Sequence, residues 1–367
     1  MQINEIKADG FKNLTNVVCH PHEKMNVFYG NNAQGKTNLI LSILLFTGLE
    51  SSLNTKESKL IHFNRDRACI SIIFKDDERE NYATIHLAKK NKITLNRVEK
   101  KGFHALTGAF LAVCFTPSQM NLLKGSPKER RKMIDEGVLQ VKPVYQKYIG
   151  EYKRVLMQRN ALLKQAGALD EEILSIWDKQ LAKLGTIITL IRKDYIRRLD
   201  EKTREIYQEI SSYQEKMNLH YQSTVFEDIQ DYTYDEDKVE LYYQALLKKR
   251  EEDTEQGFTT IGIHRDELEV KVDDLILRHY GSQGQIRSGM LAIRLAQANI
   301  MKEITGQNPI ILLDDVMSEL DKTRQEYILN HLHDCQTFIT CCDRSNMNGM
   351  KQGKVFYIQK GEVKGVT

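Results

Sequence analysis

The chain lacks an apolar run long enough to cross a membrane. Its longest, Asn38 to Phe46, falls well short of the about 20 residues a bilayer requires. The opening residues, Met1 to Gly10, are charged and have no secretory leader pattern, so a cytoplasmic protein without membrane contact is expected. None of the six cysteines (Cys19, Cys69, Cys114, Cys335, Cys341, Cys342) forms a C-x-x-C pair or has histidines at zinc-site spacing, so reduced core thiols are expected. There is little net charge, only +3, and whole-chain electrostatics therefore name no partner. Internal repeats, low-complexity tracts and base-reading motifs such as zinc fingers are missing too. What remains is a globular chain of 367 residues, 41% hydrophobic, with room for two or three domains.

The feature that stands out is Gly30-Asn31-Asn32-Ala33-Gln34-Gly35-Lys36-Thr37, a full G-x-x-x-x-G-K-T phosphate-binding loop. A short β-prone run, Met25 to Tyr29, enters it, and Leu39, Ile40, Ile43, Leu44 and Phe46 follow at helical spacing. The glycines let backbone N–H groups turn around a phosphate, Lys36 reaches the β/γ oxygens, and the Thr37 hydroxyl suits Mg²⁺. A nucleoside triphosphate ligand, ATP with Mg²⁺, is expected.

Around the loop, residues 1–125 alternate short β-prone segments with turns, among them Gln2 to Ile6, Ala68 to Phe74 and Thr84 to Leu87. Helical periodicity takes over in residues 126–257. Tyr145, Tyr148, Tyr152, Val155, Arg159 and Leu162 form a heptad stripe broken by one arginine, and Leu174, Trp177, Leu181, Leu184, Ile188, Ile191 and Tyr195 form a second. Between them, Gln165 to Glu172 contains a glycine and an acidic helix start, which predicts an antiparallel hairpin. A third amphipathic helix is predicted over Asp235 to Lys249. An ordinary helical bundle explains the periodicity equally well. In residues 258–367 the α/β pattern returns with two buried-strand runs, Pro309 to Asp315 and Thr337 to Asp343. The expected fold is α/β, a nucleotide domain split between the chain ends with a helical insertion.

The second half also carries chemistry. Asp314 ends an apolar strand where a carboxylate would hold Mg²⁺ opposite Thr37, and Asp315 beside it is the general-base candidate for the water attacking the γ-phosphate. A simple turn cap is the blander role for Asp315. Ser282, Gly284 and Gln285 open a helix, and such a start binds anions through its free N–H groups and dipole. These motifs come in the order found in ABC-type ATPases, whose signature serine reaches the nucleotide held by a partner subunit.

The resemblance then becomes specific. Gly10-Phe11-Lys12-Asn13-Leu14, the loop through Asn38, Lys124 to Arg131, His264-Arg265-Asp266, Gly281 to Gln285 and Leu313 to Asp321 together resemble the RecF family, bacterial recombination mediators among the SMC-like ABC ATPases. The resemblance implies an ABC-type P-loop ATPase head assembled from both chain ends, with a short coiled-coil-like α-helical arm inserted. It further implies that Lys12 and Asn13 border the nucleotide, that Gln119 lies in the Q-loop, that Asp321 belongs to the D-loop, and that Thr340 stands near the switch-histidine position. This chain departs from the family at Gln283, at Ser118-Gln119, at Ile263 and Ile286, and at Cys341-Cys342, where threonines are common.

Two basic clusters are candidates for nucleic acid. One gathers Lys124, Lys128, Arg130, Arg131 and Lys132 against a single acid, Glu129, and the other runs from Lys89 to Lys101. Charge runs of this kind are often only solvated surface. By resemblance, the first would contact double-stranded and gapped DNA, RecR and RecO would be partners, and ATP would drive a homodimer acting as a weak, DNA-stimulated ATPase switch. A small-acceptor P-loop kinase is the alternative, but it leaves Ser282 to Gln285 without a role. A structural SMC-type protein would need a longer arm.

Overall fold

The computed structural model describes residues 1–49, 57–120, 122–165, 170–227, 229, 231–332, 334–342 and 353–366. Ala166 to Leu169 of the expected hairpin linker, and Asp343 at the end of the second apolar run, lie outside the described residues.

The central sheet has six strands in the order Glu362–Val366, Gly353–Gln359, Met25–Tyr29, Thr337–Cys341, Ile310–Asp314, Ala112–Phe115. All run parallel except the edge strand Glu362–Val366. The strand feeding the phosphate loop thus lies between two strands from the other chain end: Val27 stands opposite Ile339 on one side and Val355 on the other. Successive strand residues face opposite sides. Ile311, Leu313 and Ile339 join one core cluster, whereas Ile310, Leu312 and Phe338 join another. Both faces being covered explains why these strands read as unbroken apolar runs.

One face is covered by helix Lys36–Leu44 and an antiparallel sheet of strands Val17–Cys19, Gln2–Asp9, Ala68–Lys75, Glu80–Leu87, Lys92–Leu95 and Val98–Lys100. Helix Gln283–Thr305 and the helical insertion cover the other. The insertion comprises helices Pro127–Val141, Tyr145–Leu163, Glu171–Ile210, Glu236–Lys248 and Arg250–Gln256. Asp235 caps the helix predicted from Asp235, its side chain accepting from Lys238 N. Contacts between Tyr145–Leu163 and Glu171–Ile210 run in opposite sequence directions: Arg159 meets Asp178 at 2.6 Å, and the Tyr145 hydroxyl meets Arg192 at 2.9 Å. The pair is the antiparallel hairpin that the periodicity predicts. At 40 residues the second helix spans roughly 60 Å, and beyond Tyr195 its buried Ile196, Leu199 and Ile206 pack against the head.

Two details differ from the periodicity. The first helix buries Ile149 and Leu163 rather than Tyr148 and Leu162, because a straight helix repeats every 3.6 residues and drifts against a strict heptad. Strand Met217–Gln222, within the segment read as helical, pairs antiparallel with Glu267–Val272. Its six alternating residues, Met217, Leu219 and Tyr221 buried, are too few to stand out between long helical patterns.

Arg159, the residue that interrupts the first stripe, is fully buried. Its Nε donates to Asp178 and its Nη1 to Asp253 and Thr259, joining three helical segments. Removing one member of a buried charge cluster strands the others, at a cost of about 3–5 kcal/mol. Arg159→Ala should lower stability by that amount in a denaturant titration, with the arm loosened first. A loss under about 1 kcal/mol would mean the carboxylates find other partners.

Candidate nucleotide-binding site

Glycine is required at both ends of the phosphate loop. Gly30 has φ +154, and a Cβ there would stand 2.3 Å from the Ile358 carbonyl of the neighbouring strand. Gly35 has φ +116 and abuts Asn13. The loop is braced from outside. Asn13 donates to the Ala33 carbonyl at 3.1 Å and accepts from Asn38 at 2.8 Å. The Gln34 side chain accepts from Lys360 N at 2.7 Å, and its carbonyl from Gly361 N at 2.9 Å. Lys12, beside Asn13, adopts φ +48, and burial pulls its ammonium below the usual lysine range.

Lys36 is 3% exposed, its Nζ donating to the Gly30 and Asn31 carbonyls at 2.6 and 3.0 Å, so its charge is fixed at the mouth of the loop. Thr37 begins helix Lys36–Leu44, and its Oγ1 donates to Asp314 Oδ1 at 3.0 Å. The Thr340 hydroxyl donates to the same oxygen at 2.8 Å while accepting from Asp315 N at 2.8 Å. Burial pushes the Asp314 carboxyl up, the hydrogen bonds from Thr340 and Thr37 pull it down, and neighbouring Asp315 adds to the rise. One hydroxyl and one carboxylate oxygen side by side make a hard-oxygen pair suited to Mg²⁺, which takes few protein ligands when phosphates and water supply the rest. Asp315 adopts φ +52, rare for a non-glycine residue and found mostly where surrounding structure enforces it at functional sites.

Two side chains sit where the family resemblance does not lead. Thr340 is 1% exposed, and its hydroxyl is taken up by Asp314 Oδ1 and Asp315 N. The residue facing the loop is Cys342, two positions on. Its thiol lies 3.5 Å from Lys36 Nζ, 2.9 Å from Asn32 Oδ1 and 3.9 Å from Asp315 Oδ1. Its place just past the strand after Asp314 is the one sequence signal that could have pointed to it. Gln119 makes no hydrogen bond to Thr37 or Asp314. With its amide oriented to satisfy both ends, it donates to the Cys114 carbonyl at 2.7 Å and accepts from buried Arg294 at 3.3 Å, which ties it to helix Gln283–Thr305.

Ser282 is the exposed cap of that helix. Its hydroxyl accepts from Gln285 N, the Gln285 side chain accepts from Ser282 N, and the Gln285 amide also donates to Glu215 at 2.9 Å. Asp321 caps helix Lys322–His331 and pairs with Arg324, whose Nε donates to Ser288 of the signature helix at 2.8 Å. Gly284 faces the same arginine, 3.8 Å from where its Cβ would stand. Ser282, Gly284 and Asp321 therefore border one surface. No hydrogen bond links them to the phosphate loop among the described residues.

The basic cluster divides. Lys124 and Lys128 are exposed, and Lys132 is half-buried beside Glu136. Arg130 does not belong to a DNA-facing surface: it is 2% exposed, donates with Nε and Nη2 to both Glu267 oxygens at 2.8 and 2.5 Å, and caps the Gly125 carbonyl. Burial pushes Glu267 up, yet the Arg130 hydrogen bond and charge hold it below the usual carboxylate range. Arg131 is half-buried, with Nη1 donating to the Asp266 carbonyl at 2.8 Å. The pattern K-x-x-x-K-x-R-R reads as one patch in sequence, but helix Pro127–Val141 turns Arg130 inward.

Known proteins resemble this chain along nearly its whole length. A family model described as the RecF/RecN/SMC N terminal domain matches residues 2–364. The chain is 34% identical over 369 residues to the DNA replication and repair protein RecF of Agathobacter rectalis, with 99% of each covered. It is 33% identical over 367 residues to the protein of that name from Clostridium tetani, again with 99% of each covered. A solved structure of the recombination mediator protein RecF-ATP in the RecFOR pathway superposes with TM-score 0.89 at 31% identity, covering 99% of this chain and 97% of that one. An Smc head bound to the C-terminal winged-helix domain of ScpA shares the fold, with TM-score 0.58 at 16% identity, covering 100% and 97%. With an ABC-type head closed from both chain ends around a G-x-x-x-x-G-K-T loop, and relatives of this kind along its whole length, the chain belongs to the RecF family of SMC-like ATPases.

Proposed function

We propose that this chain is a cytoplasmic, ATP-gated DNA-binding switch in recombinational repair. Two copies close head to head, each phosphate loop meeting the other copy's Ser282. The closed dimer holds DNA at single-strand gaps and junctions, and slow hydrolysis opens it, supporting RecA loading with RecO and RecR counterparts. The observation that carries this reading is that one chain presents two elements fit for an anion, the loop with its Thr37–Asp314 pair and the exposed Ser282 helix start, with no hydrogen bond between them among the described residues. A nucleotide held by the first is completed only by the second element of another copy.

In that assembly Gly30 to Thr37 cradle the phosphates through backbone N–H groups, Asn38 and Asn13 hold the loop in shape, and Lys12 and Asn13 border the nucleotide. Bound Mg²⁺ would neutralise phosphate charge. Thr37 and Asp314 would hold it, and Thr340 fixes Asp314. Asp315, with its backbone held by Thr340, takes the proton of the attacking water. Ser282 and the first N–H groups of its helix face the γ-phosphate, with Gly284 allowing close approach and Gln285 holding the cap. Asp321 and Arg324 line the same surface. Lys124, Lys128 and Lys132, with the free edge of Arg131, contact DNA phosphates, so binding follows backbone shape rather than sequence.

Lys36→Ala should weaken ATP binding by at least about 100-fold, because charge-assisted bonds to phosphate are lost. Asp315→Asn should leave binding intact and slow hydrolysis by about 10²–10⁴-fold. Equilibrium binding and steady-state phosphate release separate the two, and near-normal ATP affinity in Lys36→Ala would refute the loop assignment.

Ser282→Arg should bind ATP as a monomer with unchanged affinity yet give no ATP-dependent dimer by light scattering. A dimer of normal stability in this variant would sink the shared-site arrangement.

Reversing Lys124, Lys128 and Lys132 to glutamate should weaken duplex binding equally for all sequences and flatten its salt dependence, since each lost phosphate contact releases fewer counterions. Unchanged affinity and slope would redirect attention to the Lys89 to Lys101 hairpin.

A further inference from the structure

A cleft of about 330 Å³ opens between helix Pro127–Val141 and helix Tyr145–Leu163, away from every phosphate-loop residue. That volume lies within the range of specific ligand sites, roughly 300–1,000 Å³. Its floor is apolar, formed by Leu139, Ile149, Tyr152 and Leu156, and Ile263 and His264 close its base. Burial holds His264 down at about 4, so its imidazole is neutral at physiological pH.

Five cations line the cleft against two carboxylates, Asp135 and Glu136. Both carboxylates are engaged: Asp135 receives Arg192 at 2.8 Å, and Glu136 faces Lys132 at 3.9 Å. Lys128, Arg131 and Lys153 make no ion pair among the described residues. The mouth therefore carries two unpaired cations, Lys128 and Lys153, above an apolar floor, with Arg131 beside them under the charges of Asp266 and Glu267.

These two properties together choose the occupant. Aliphatic floor side chains gain only from apolar partners, which a phosphodiester backbone does not offer. A cationic mouth repels basic segments and favours carboxylates. A groove between two helices is also the setting in which amphipathic helices dock, through apolar side chains at i, i+3, i+4 and i+7.

We propose that this cleft is the docking site for an acidic amphipathic segment of a partner protein, its apolar side chains seated on Leu139, Ile149 and Leu156 and its carboxylates on Lys128, Arg131 and Lys153. The site is independent of the nucleotide reading, since no residue of the loop takes part. It shares Lys128, Arg131 and Lys132 with the proposed DNA surface, so an acidic segment and duplex DNA compete at the mouth while only the segment uses the floor.

The probe is a fluorescein-labelled helical peptide of about four turns, with leucines at i, i+3, i+4 and i+7 and glutamates elsewhere, titrated by anisotropy against the full chain. Two control peptides replace the leucines with serine or the glutamates with lysine. Saturable binding of the acidic leucine peptide alone is expected, weakened at least about tenfold by Lys153→Glu and by Leu156→Asp. These positions are exposed and half-buried, so both variants should fold, and retained ATP binding checks that they do. Lys124→Glu, outside the cleft, should leave peptide affinity unchanged. Equal binding of the serine peptide, failure of the acidic leucine peptide to bind saturably, or wild-type affinity in both cleft variants would overturn the proposal. So would complete displacement by duplex DNA together with indifference to Leu156→Asp, which would make the cleft part of a phosphate-binding surface.

Discussion

Everything at the nucleotide site depends on the pairing of strand Met25–Tyr29 between Thr337–Cys341 and Gly353–Gln359. That double parallel pairing joins residues more than 300 positions apart, and it has three local consequences. Gly30 is pressed against the Ile358 carbonyl, Lys36 is set beneath the Cys342 thiol, and the turn at Lys360-Gly361 reaches Gln34. None of these contacts exists until both chain ends are in the sheet. Long-range parallel pairing incurs its loop-closure entropy before any contact repays it, so the site forms only with the whole head.

Within the head, one oxygen organises the chemistry. Asp314 Oδ1 accepts from both Thr37 and Thr340, which ties the loop helix to two adjacent strands. The same Thr340 hydroxyl accepts from Asp315 N, so Asp314 and the neighbouring acid share one anchor. Asp315 is held at a backbone conformation with a cost of order 1–3 kcal/mol, tolerated because the strand before it and Thr340 beside it leave no alternative.

The sequence made the loop, the split sheet and the antiparallel hairpin legible because each depends on short-range patterns: glycine spacing, apolar runs and 3.6-residue periodicity. The helix predicted over Asp235 to Lys249 was readable for the same reason. Side-chain direction was not. Arg130 and Arg131 are adjacent in sequence, but one is buried on Glu267 while the other is half-exposed, and only the rotation of helix Pro127–Val141 decides which. Arg159 looked like a break in a stripe and proved to be a fully buried hub, because its partners Asp178 and Asp253 come from segments 19 and 94 residues away. Cys342, expected as a core thiol, is exposed beside the loop, because no loop motif specifies which residue of another strand reaches it.

The central claim is that nucleotide completes a site between two copies. Sedimentation velocity of the wild-type chain, with and without ATP and Mg²⁺, tests it most directly. A shift from monomer to dimer that needs ATP and reverses as it is hydrolysed is the predicted result. A single mass under both conditions, with ATP shown to be bound, would contradict the account.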